Sequence, residues 1–143
     1  MGYNLLRRGR ASVPGQVYHI VTSTRDRKPV FSDFYRARAA IRVLMDEERL
    51  GEVSTFAFVL MPDHLHWLFQ LEQDTEVVKV VGRVKSLIAR RCGRAVWQPG
   101  FYDHALRKEE DVAAIARYIV ANPLRAGLVT KLGEYSHWDA IWV

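Results

Sequence analysis

The chain has 143 residues, of which 49% are hydrophobic and 26% are charged, a balance typical of a globular domain with its own core. Its 21 lysine and arginine residues exceed its 16 acidic residues, and the excess lies within residues 1–50. This charge fits a polyanionic partner such as nucleic acid and equally a soluble protein that is basic without such a partner. The longest apolar run, residues 56–61, is too short to cross a membrane, and a single cysteine, Cys92, excludes an internal disulfide and suits a reducing cytoplasm.

The predicted elements begin after an irregular basic arm over residues 1–15, which is rich in glycine and arginine and has no apolar stretch typical of a secretory signal. Alternating side chains over residues 16–22 predict the first strand. Apolar residues then recur at helical spacing after Ser32, the predicted N-cap, and Gly51 ends this first helix.

A hairpin follows the first helix. Residues 55–61 are predicted as the second strand, and the unbroken apolar run within them predicts a central strand that is covered on both faces. Residues 62–63, Pro-Asp, are a turn signal. The alternation over residues 64–71 predicts a third strand, and such a short connection favours antiparallel pairing.

The next predicted elements are a long helix and a short strand. Asp74 or Thr75 is the predicted N-cap of the helix, and Gly93 is its predicted end. Its apolar side chains form one stripe along the helix. Residues 101–106 are predicted as a fourth strand.

The last predicted helix carries acidic residues 109–111 at its positive end, and Pro123 stops or kinks it near Asn122. The order is βαββαβ with an additional C-terminal helix. We therefore predict an α+β, ferredoxin-like antiparallel sheet with helices on one face and a tyrosine-bearing helix at the end. One domain is predicted over residues 1–143, with residues 130–143 as a C-terminal tail.

Two histidines begin the predicted third strand. His64 and His66 are two residues apart, so their side chains lie on one face, roughly 7 Å apart at the backbone. Leu65 and Trp67 point the opposite way, into the core, and hold the pair rigidly. Two imidazoles in this arrangement can converge on one metal ion, although two half-exposed histidines without a ligand also fit the pattern.

A metal bound by the two histidines needs a third ligand. Asp63 is adjacent to His64 but faces away from it in an extended chain. His19, His104 and Asn122 are the other candidates. Two nitrogens and an amide oxygen suit Mg²⁺ or Mn²⁺ with open water positions, whereas a third histidine favours zinc.

The last helix supplies a tyrosine. Tyr118 and Asn122 are four residues apart and therefore neighbours on a continuous helix, at the margin of its apolar stripe near Ile115. A tyrosine at such a margin also fits ordinary packing with a hydrogen-bonded hydroxyl. As a nucleophile, a phenol needs help from a polarising metal or a nearby base, because its pKa is about 10.

These residues resemble a known family. The segment 61–69, MPDHLHWLF, resembles the histidine-hydrophobe-histidine (HUH) strand of the single-tyrosine transposases, and 118–129, YIVANPLRAGLV, resembles their tyrosine helix. The chain is more narrowly similar to the transposases associated with repetitive extragenic palindromes (REP-associated tyrosine transposases). The dipeptides at 18–19 and 97–98 and the segment 101–104 also fit that pattern.

The resemblance implies a metal-dependent single-stranded DNA endonuclease and strand transferase. Tyr118 attacks a backbone phosphate at palindromic hairpin DNA and forms a covalent 5′-phosphotyrosine intermediate. His64, His66 and Asn122 carry over as ligands of Mg²⁺ or Mn²⁺. The resemblance also implies a cytoplasmic, nucleoid-associated prokaryotic protein that acts as a monomer or homodimer, without a membrane.

Cationic side chains are predicted to hold the DNA. Some lie in the N-terminal arm, and others form a row on the second helix that can follow a phosphate backbone. The alternative is a binding protein without catalysis, either a domesticated palindrome binder or an RNA-binding ferredoxin-like module. The predicted DNA-binding residues are Arg7, Arg8, Arg10, Lys79, Arg83 and Arg90.

Overall fold

An antiparallel sheet of five strands organises the fold. The computed structural model describes residues 15–93, 95–107 and 110–140, so nearly all of the predicted basic arm lies outside the described residues. The strands, in chain order, are β1 (Val17–Ser23), β2 (Val53–Met61), β3 (His64–Leu71), β4 (Tyr102–Ala105) and β5 (Trp138–Ala140).

The strand order across the sheet is β4-β1-β3-β2-β5, and every pairing is antiparallel. The first four strands have the ferredoxin-like order, so the predicted fold class is confirmed. β2 and β3 form the predicted hairpin, in which Met61 pairs with His64. β5 is an addition that the sequence analysis placed in the C-terminal tail.

Helices cover both faces of the sheet. Tyr18, Ile20, Trp67 and Phe69 contribute to a core under the first two helices, and a second core on the other face lies under the third. No helix in the described part of the chain has the length and hydropathy that a membrane crossing needs. The helices are α1 (Phe34–Arg49), α2 (Val77–Cys92), α3 (Val112–Val120) and the short α4 (Asn122–Arg125).

The second core brings α3 onto the sheet. Ala116 and Ile119 of α3 pack in one cluster with Val59 and Met61 of β2 and Leu68 of β3. These strand residues share the face that His64 and His66 occupy, because side chains on a strand alternate. α3 and the two histidines therefore lie on the same side of the sheet.

Two predicted helix starts are wrong by one or two residues. α1 begins after Asp33, whose Oδ1 accepts a hydrogen bond from the Arg36 backbone N–H at 3.0 Å, while Ser32 belongs to a preceding 3₁₀ turn. α2 is flanked by Glu76, without a side-chain cap, rather than by Asp74 or Thr75.

We expect Asp33→Ala to lower the free energy of unfolding by about 1 kcal/mol, because the first turn of α1 loses its side-chain cap. Denaturant titration measures the difference. Ser32→Ala is the matched control and should leave stability unchanged. The reverse ranking of the two variants would contradict the assignment of the cap.

The C-terminal part of the chain docks on the edge of β2. Ala140 pairs with Ala57 in the β2–β5 ladder. The Tyr135 hydroxyl donates a hydrogen bond to the Leu60 carbonyl at 2.5 Å, and burial raises the pKa of this phenol to about 12. Residues 135–140 are thus part of the packed fold.

Candidate active site

The two histidines lie at the start of β3. The sheet face beside them is covered by α3 on one side and borders a groove on the other side. On one side their cross-strand neighbours are Met61 and Val59, which pack under α3. On the other side the neighbours are residues of β1, where the sheet face is open. A groove of about 620 Å³ lies there, lined by Val21 and Ser23 and by the segment 98–102.

His64 is held by the turn that precedes it. Its Nδ1 lies 2.8 Å from Asp63 Oδ1, and Arg27 Nε donates to Asp63 Oδ2 at 2.9 Å. Burial by itself raises the pKa of Asp63, but the hydrogen bonds from His64 and Arg27 outweigh it and lower the pKa below its usual value. The expectation that Asp63 faces away from His64 is wrong, because the turn folds the carboxylate back onto the ring.

A strained loop keeps Arg27 in place. Asp26 and Arg27 have φ angles of 55° and 54°, a left-handed conformation that is costly for residues other than glycine. The Thr24 hydroxyl anchors the loop through hydrogen bonds to the carbonyls of Lys28 at 2.8 Å and Asp63 at 3.1 Å. The loop therefore supports the carboxylate that holds His64.

His66 is held by a histidine from β1. His19 Nε2 lies 3.0 Å from His66 Nδ1, and the two rings stack with centroids 5.3 Å apart. Burial, together with the charge of His104, lowers the pKa of His19 to about 4. Burial and then the charges of His64, His19 and Arg125 lower the pKa of His66 to about 3.

We expect the metal-free protein to lose stability as the pH falls from 7 to 5. The unfolded chain takes up protons on both histidines near pH 6.5, whereas the folded chain does not until about pH 4 or below. Each such histidine lowers the free energy of unfolding by about 1.4 kcal/mol per pH unit below pH 6.5. Denaturant titrations in a chelator at several pH values measure this slope, and His19→Gln should reduce it. A stability that is flat over this range would contradict the assignment.

The two rings fit one divalent cation. Their centroids are 5.0 Å apart, and the centroid of a coordinating imidazole lies roughly 3 Å from its ion. Among the described residues, the Nδ1 atoms of both rings take part in hydrogen bonds, which leaves the Nε2 atom of each ring available to bind a metal. The described part of the chain contains no group of three histidine, cysteine or acidic residues able to hold a metal.

The four candidates for a third ligand differ in their existing contacts. Asp63 binds His64, and His19 binds His66. His104 Nε2 lies 3.0 Å from a carboxylate oxygen of Glu110. Asn122 donates through Nδ2 to the Ile119 carbonyl at 2.7 Å, so its Oδ1 is available as an oxygen ligand.

Tyr118 presents its side chain to solvent. It is 62% exposed, while its helix neighbours Ala116 and Ile119 are buried against the sheet. The Arg125 guanidinium carbon lies 3.8 Å from the centre of the tyrosine ring. The charge of Arg125 is also the smallest of the causes that lower the pKa of His66, after burial and the charges of His64 and His19.

Pro123 breaks the tyrosine helix as predicted. α3 ends at Val120, Ala121 is its C-cap, and Asn122 begins the short helix α4. Tyr118 and Asn122 thus lie on two consecutive helices joined at Ala121. α4 contacts β2, the strand that carries the cross-strand neighbours of the histidines.

The predicted DNA-binding row on α2 lies on the opposite face of the sheet from the histidines. Arg83 forms ion pairs inside the protein. Its Nε donates to Glu47 Oε1 at 2.9 Å, and its Nη2 donates to Glu47 Oε2 at 2.6 Å. It also pairs with Glu52. Lys79 and Arg90 are exposed. Arg7, Arg8 and Arg10 lie outside the described residues.

The structure shows three side-chain contacts at the site that the sequence did not predict. Asp63 and His19 contact the histidines, and Arg125 contacts Tyr118. The contact between Arg125 and Tyr118 had no signal from helical spacing, because the helix is broken between them at Ala121. The contact between His19 and His66 depends on the β1–β3 register and had no local signal.

Comparisons with known proteins show which family this chain resembles in sequence and in fold. Residues 12–122 match a family model described as IS200-like transposase. A REP-associated tyrosine transposase of Escherichia coli (strain K12) is 26% identical over 130 residues, which cover 88% of this chain and 77% of that protein. A solved REP-associated tyrosine transposase bound to a REP hairpin superimposes with a TM-score of 0.73 at 25% identity, covering 90% of this chain and 79% of that one.

Proposed function

The chain belongs to the IS200-like transposase family, and within that family we propose that it cleaves and rejoins single-stranded DNA beside a palindromic hairpin. The predicted resemblance to the REP-associated tyrosine transposases is confirmed, so the chain is an enzyme of the tyrosine transposase type. The observation that carries the proposal is the position of α3. This helix packs on the sheet face that holds His64 and His66, and its Tyr118 side chain is exposed.

The residues that would hold the ion are His64 and His66 through Nε2 and Asn122 through Oδ1. Mg²⁺ or Mn²⁺ suits this donor set, since both accept oxygen ligands and keep open positions for water and phosphate. When bound, such an ion withdraws electron density from the scissile phosphate. Asp63 orients the His64 ring for this role.

Tyr118 is the proposed nucleophile. Its oxygen attacks the scissile phosphorus, the bond from phosphorus to the 3′-oxygen breaks, and a 5′-phosphotyrosine forms. The phenolic proton passes to solvent, and the released 3′-oxygen takes up a proton. One phosphoester replaces another, so a 3′-hydroxyl can reverse the step and rejoin DNA without an energy source.

Arg125 supports the transfer electrostatically. Its guanidinium lies against the Tyr118 ring, so it would bring positive charge close to the phosphate that Tyr118 attacks. A fixed cation at this point stabilises the additional negative charge of the transition state. The groove along Val21 and Ser23 gives the flanking single strand a place on the open side of the site.

The proposed partner is hairpin DNA with single-stranded flanks, in line with the REP hairpin bound by the solved relative. Arg7, Arg8 and Arg10 remain predicted contacts of a basic arm, and the exposed Lys79 and Arg90 remain predicted contacts on α2. We propose a cytoplasmic, nucleoid-associated enzyme that acts as a monomer or homodimer.

The test is to mix the protein with a hairpin oligonucleotide labelled on either side of the cleavage site and to separate the products on a denaturing gel. We expect a covalent protein–DNA band with Mg²⁺ or Mn²⁺ that retains the label 3′ of the break. Chelation and His64→Ala should remove the band, and the matched control His137→Ala should keep it. Hairpin binding without any adduct under all metal conditions would favour the non-catalytic alternative.

A further inference from the structure

His19 lies on β1 and contacts a proposed metal ligand, His66, through its side chain. Its Nε2 lies 3.0 Å from Nδ1 of His66, and the planes of the two rings differ by 22°. The Tyr102 ring meets His19 edge-on with a centroid distance of 6.0 Å. His19 is therefore packed between the β3 histidine and a β4 aromatic.

We propose that His19 is a positioning residue that fixes His66 in the tautomer whose Nε2 lone pair can bind a divalent cation. This inference rests on the proposed function, because it assumes that His66 is a metal ligand. A neutral imidazole carries one N–H and one lone pair. When His66 Nδ1–H donates to His19 Nε2, the lone pair of His66 lies on Nε2. In the opposite tautomer the proton occupies Nε2 and blocks coordination.

His64 shows the same arrangement. Its Nδ1 contacts a carboxylate oxygen of Asp63 at 2.8 Å, and a carboxylate accepts rather than donates a hydrogen bond. The proton of His64 therefore lies on Nδ1, and its lone pair lies on Nε2. Under the proposal, the Nδ1 of each β3 histidine donates to an acceptor, which is the usual arrangement around coordinating histidines.

The β1–β3 register explains why His19 reaches His66. Val21 is the direct cross-strand partner of His66, and His19 lies two residues before Val21 on β1. The two histidines therefore share one face of the sheet as diagonal neighbours, a spacing that long side chains span. Because His19 Nε2 already faces His66, we assign His19 to support rather than to coordination.

Two variants separate acceptor chemistry from packing. His19→Phe keeps a stacking ring but has no acceptor, whereas His19→Gln keeps an acceptor oxygen. Long-range ¹H–¹⁵N NMR of the metal-free protein reports which His66 nitrogen carries the proton. Titration with Mn²⁺ alone, followed by electron paramagnetic resonance, reports metal affinity, and thermal unfolding verifies that each variant is folded.

We expect wild type and His19→Gln to carry the His66 proton on Nδ1 and to bind Mn²⁺ with similar affinity. His19→Phe should move the proton to Nε2 and weaken Mn²⁺ binding about 10- to 100-fold. If His19→Phe folds poorly, a His19→Gln protein whose His66 proton lies on Nε2 would overturn the proposal by itself.

Other outcomes distinguish this inference from the proposed function. Unchanged tautomer and affinity in His19→Phe would overturn the positioning role. If both His19 variants lose Mn²⁺ binding as completely as His66→Ala does, His19 is itself a ligand. This outcome would also overturn the positioning role. Unchanged Mn²⁺ binding in His64→Ala and His66→Ala would instead overturn the proposed metal site.

Discussion

The Tyr118→Phe variant is expected to form no covalent adduct with hairpin DNA and to cleave it at least about 1,000-fold more slowly than wild type. The substitution removes only the hydroxyl from a side chain that is 62% exposed. Folding and the stacking of Arg125 on the ring should therefore persist. Single-turnover cleavage on a denaturing gel measures the rate, and a native gel checks that the hairpin still binds.

Tyr35→Phe is the matched control for this experiment. Tyr35 is the more exposed tyrosine, and it lies on α1, on the opposite face of the sheet from the histidines. Its substitution should leave cleavage and adduct formation unchanged. An adduct that survives in Tyr118→Phe would mean that another residue is the nucleophile, and the proposed chemistry would then be wrong.

The Arg83→Ala variant is expected to lose about 2–3 kcal/mol of unfolding free energy. Glu47 is buried, with 1% of its side chain exposed, and Arg83 pairs with both of its carboxylate oxygens. These contacts raise the pKa of Arg83 above its ordinary value, with the hydrogen bond to Glu47 as the largest cause. Removal of the guanidinium leaves a buried carboxylate unpaired. The expected loss of unfolding free energy is smaller than for a fully buried ion pair, because 36% of the Arg83 side chain is exposed.

Denaturant titration measures this loss, with Lys79→Ala as the control. Lys79 is an exposed cation on the same helix, and its substitution should change stability by less than about 0.5 kcal/mol. Replacing Glu47 and Arg83 together by methionine should recover much of the stability. If Arg83 acts by contacting DNA phosphates instead, Arg83→Ala will keep wild-type stability and will weaken the salt dependence of DNA binding.

The strands and the apolar stripes follow from local patterns in the sequence. The period-two alternation over residues 64–71 predicts both the bounds of β3 and which of its side chains enter the first core. The stripe of α2, including Val81, Val84 and Ile88, is buried as predicted. Such patterns work because burial of one face is a property of residues within a few positions of one another.

β5 was not predicted, because three residues contain too little periodicity to mark a strand. Trp138–Ala140 becomes a strand by pairing with β2, about 80 residues earlier in the chain. Arg83 shows the same limitation. Arg83 lies outside the apolar stripe of α2, as predicted. Its carboxylate partners were not predicted, because they come from α1 and from the segment before β2.

The sequence by itself determined which chemical groups this protein has: two imidazoles on one strand face, a phenol on a late helix, and motifs that identify the family. Only the tertiary structure decided which nitrogen of each imidazole is available and which cation stacks on the phenol. The reason is that those contacts depend on cross-strand register and helix docking. His19 reaches His66 across 47 positions of the chain, a distance over which no local pattern carries information.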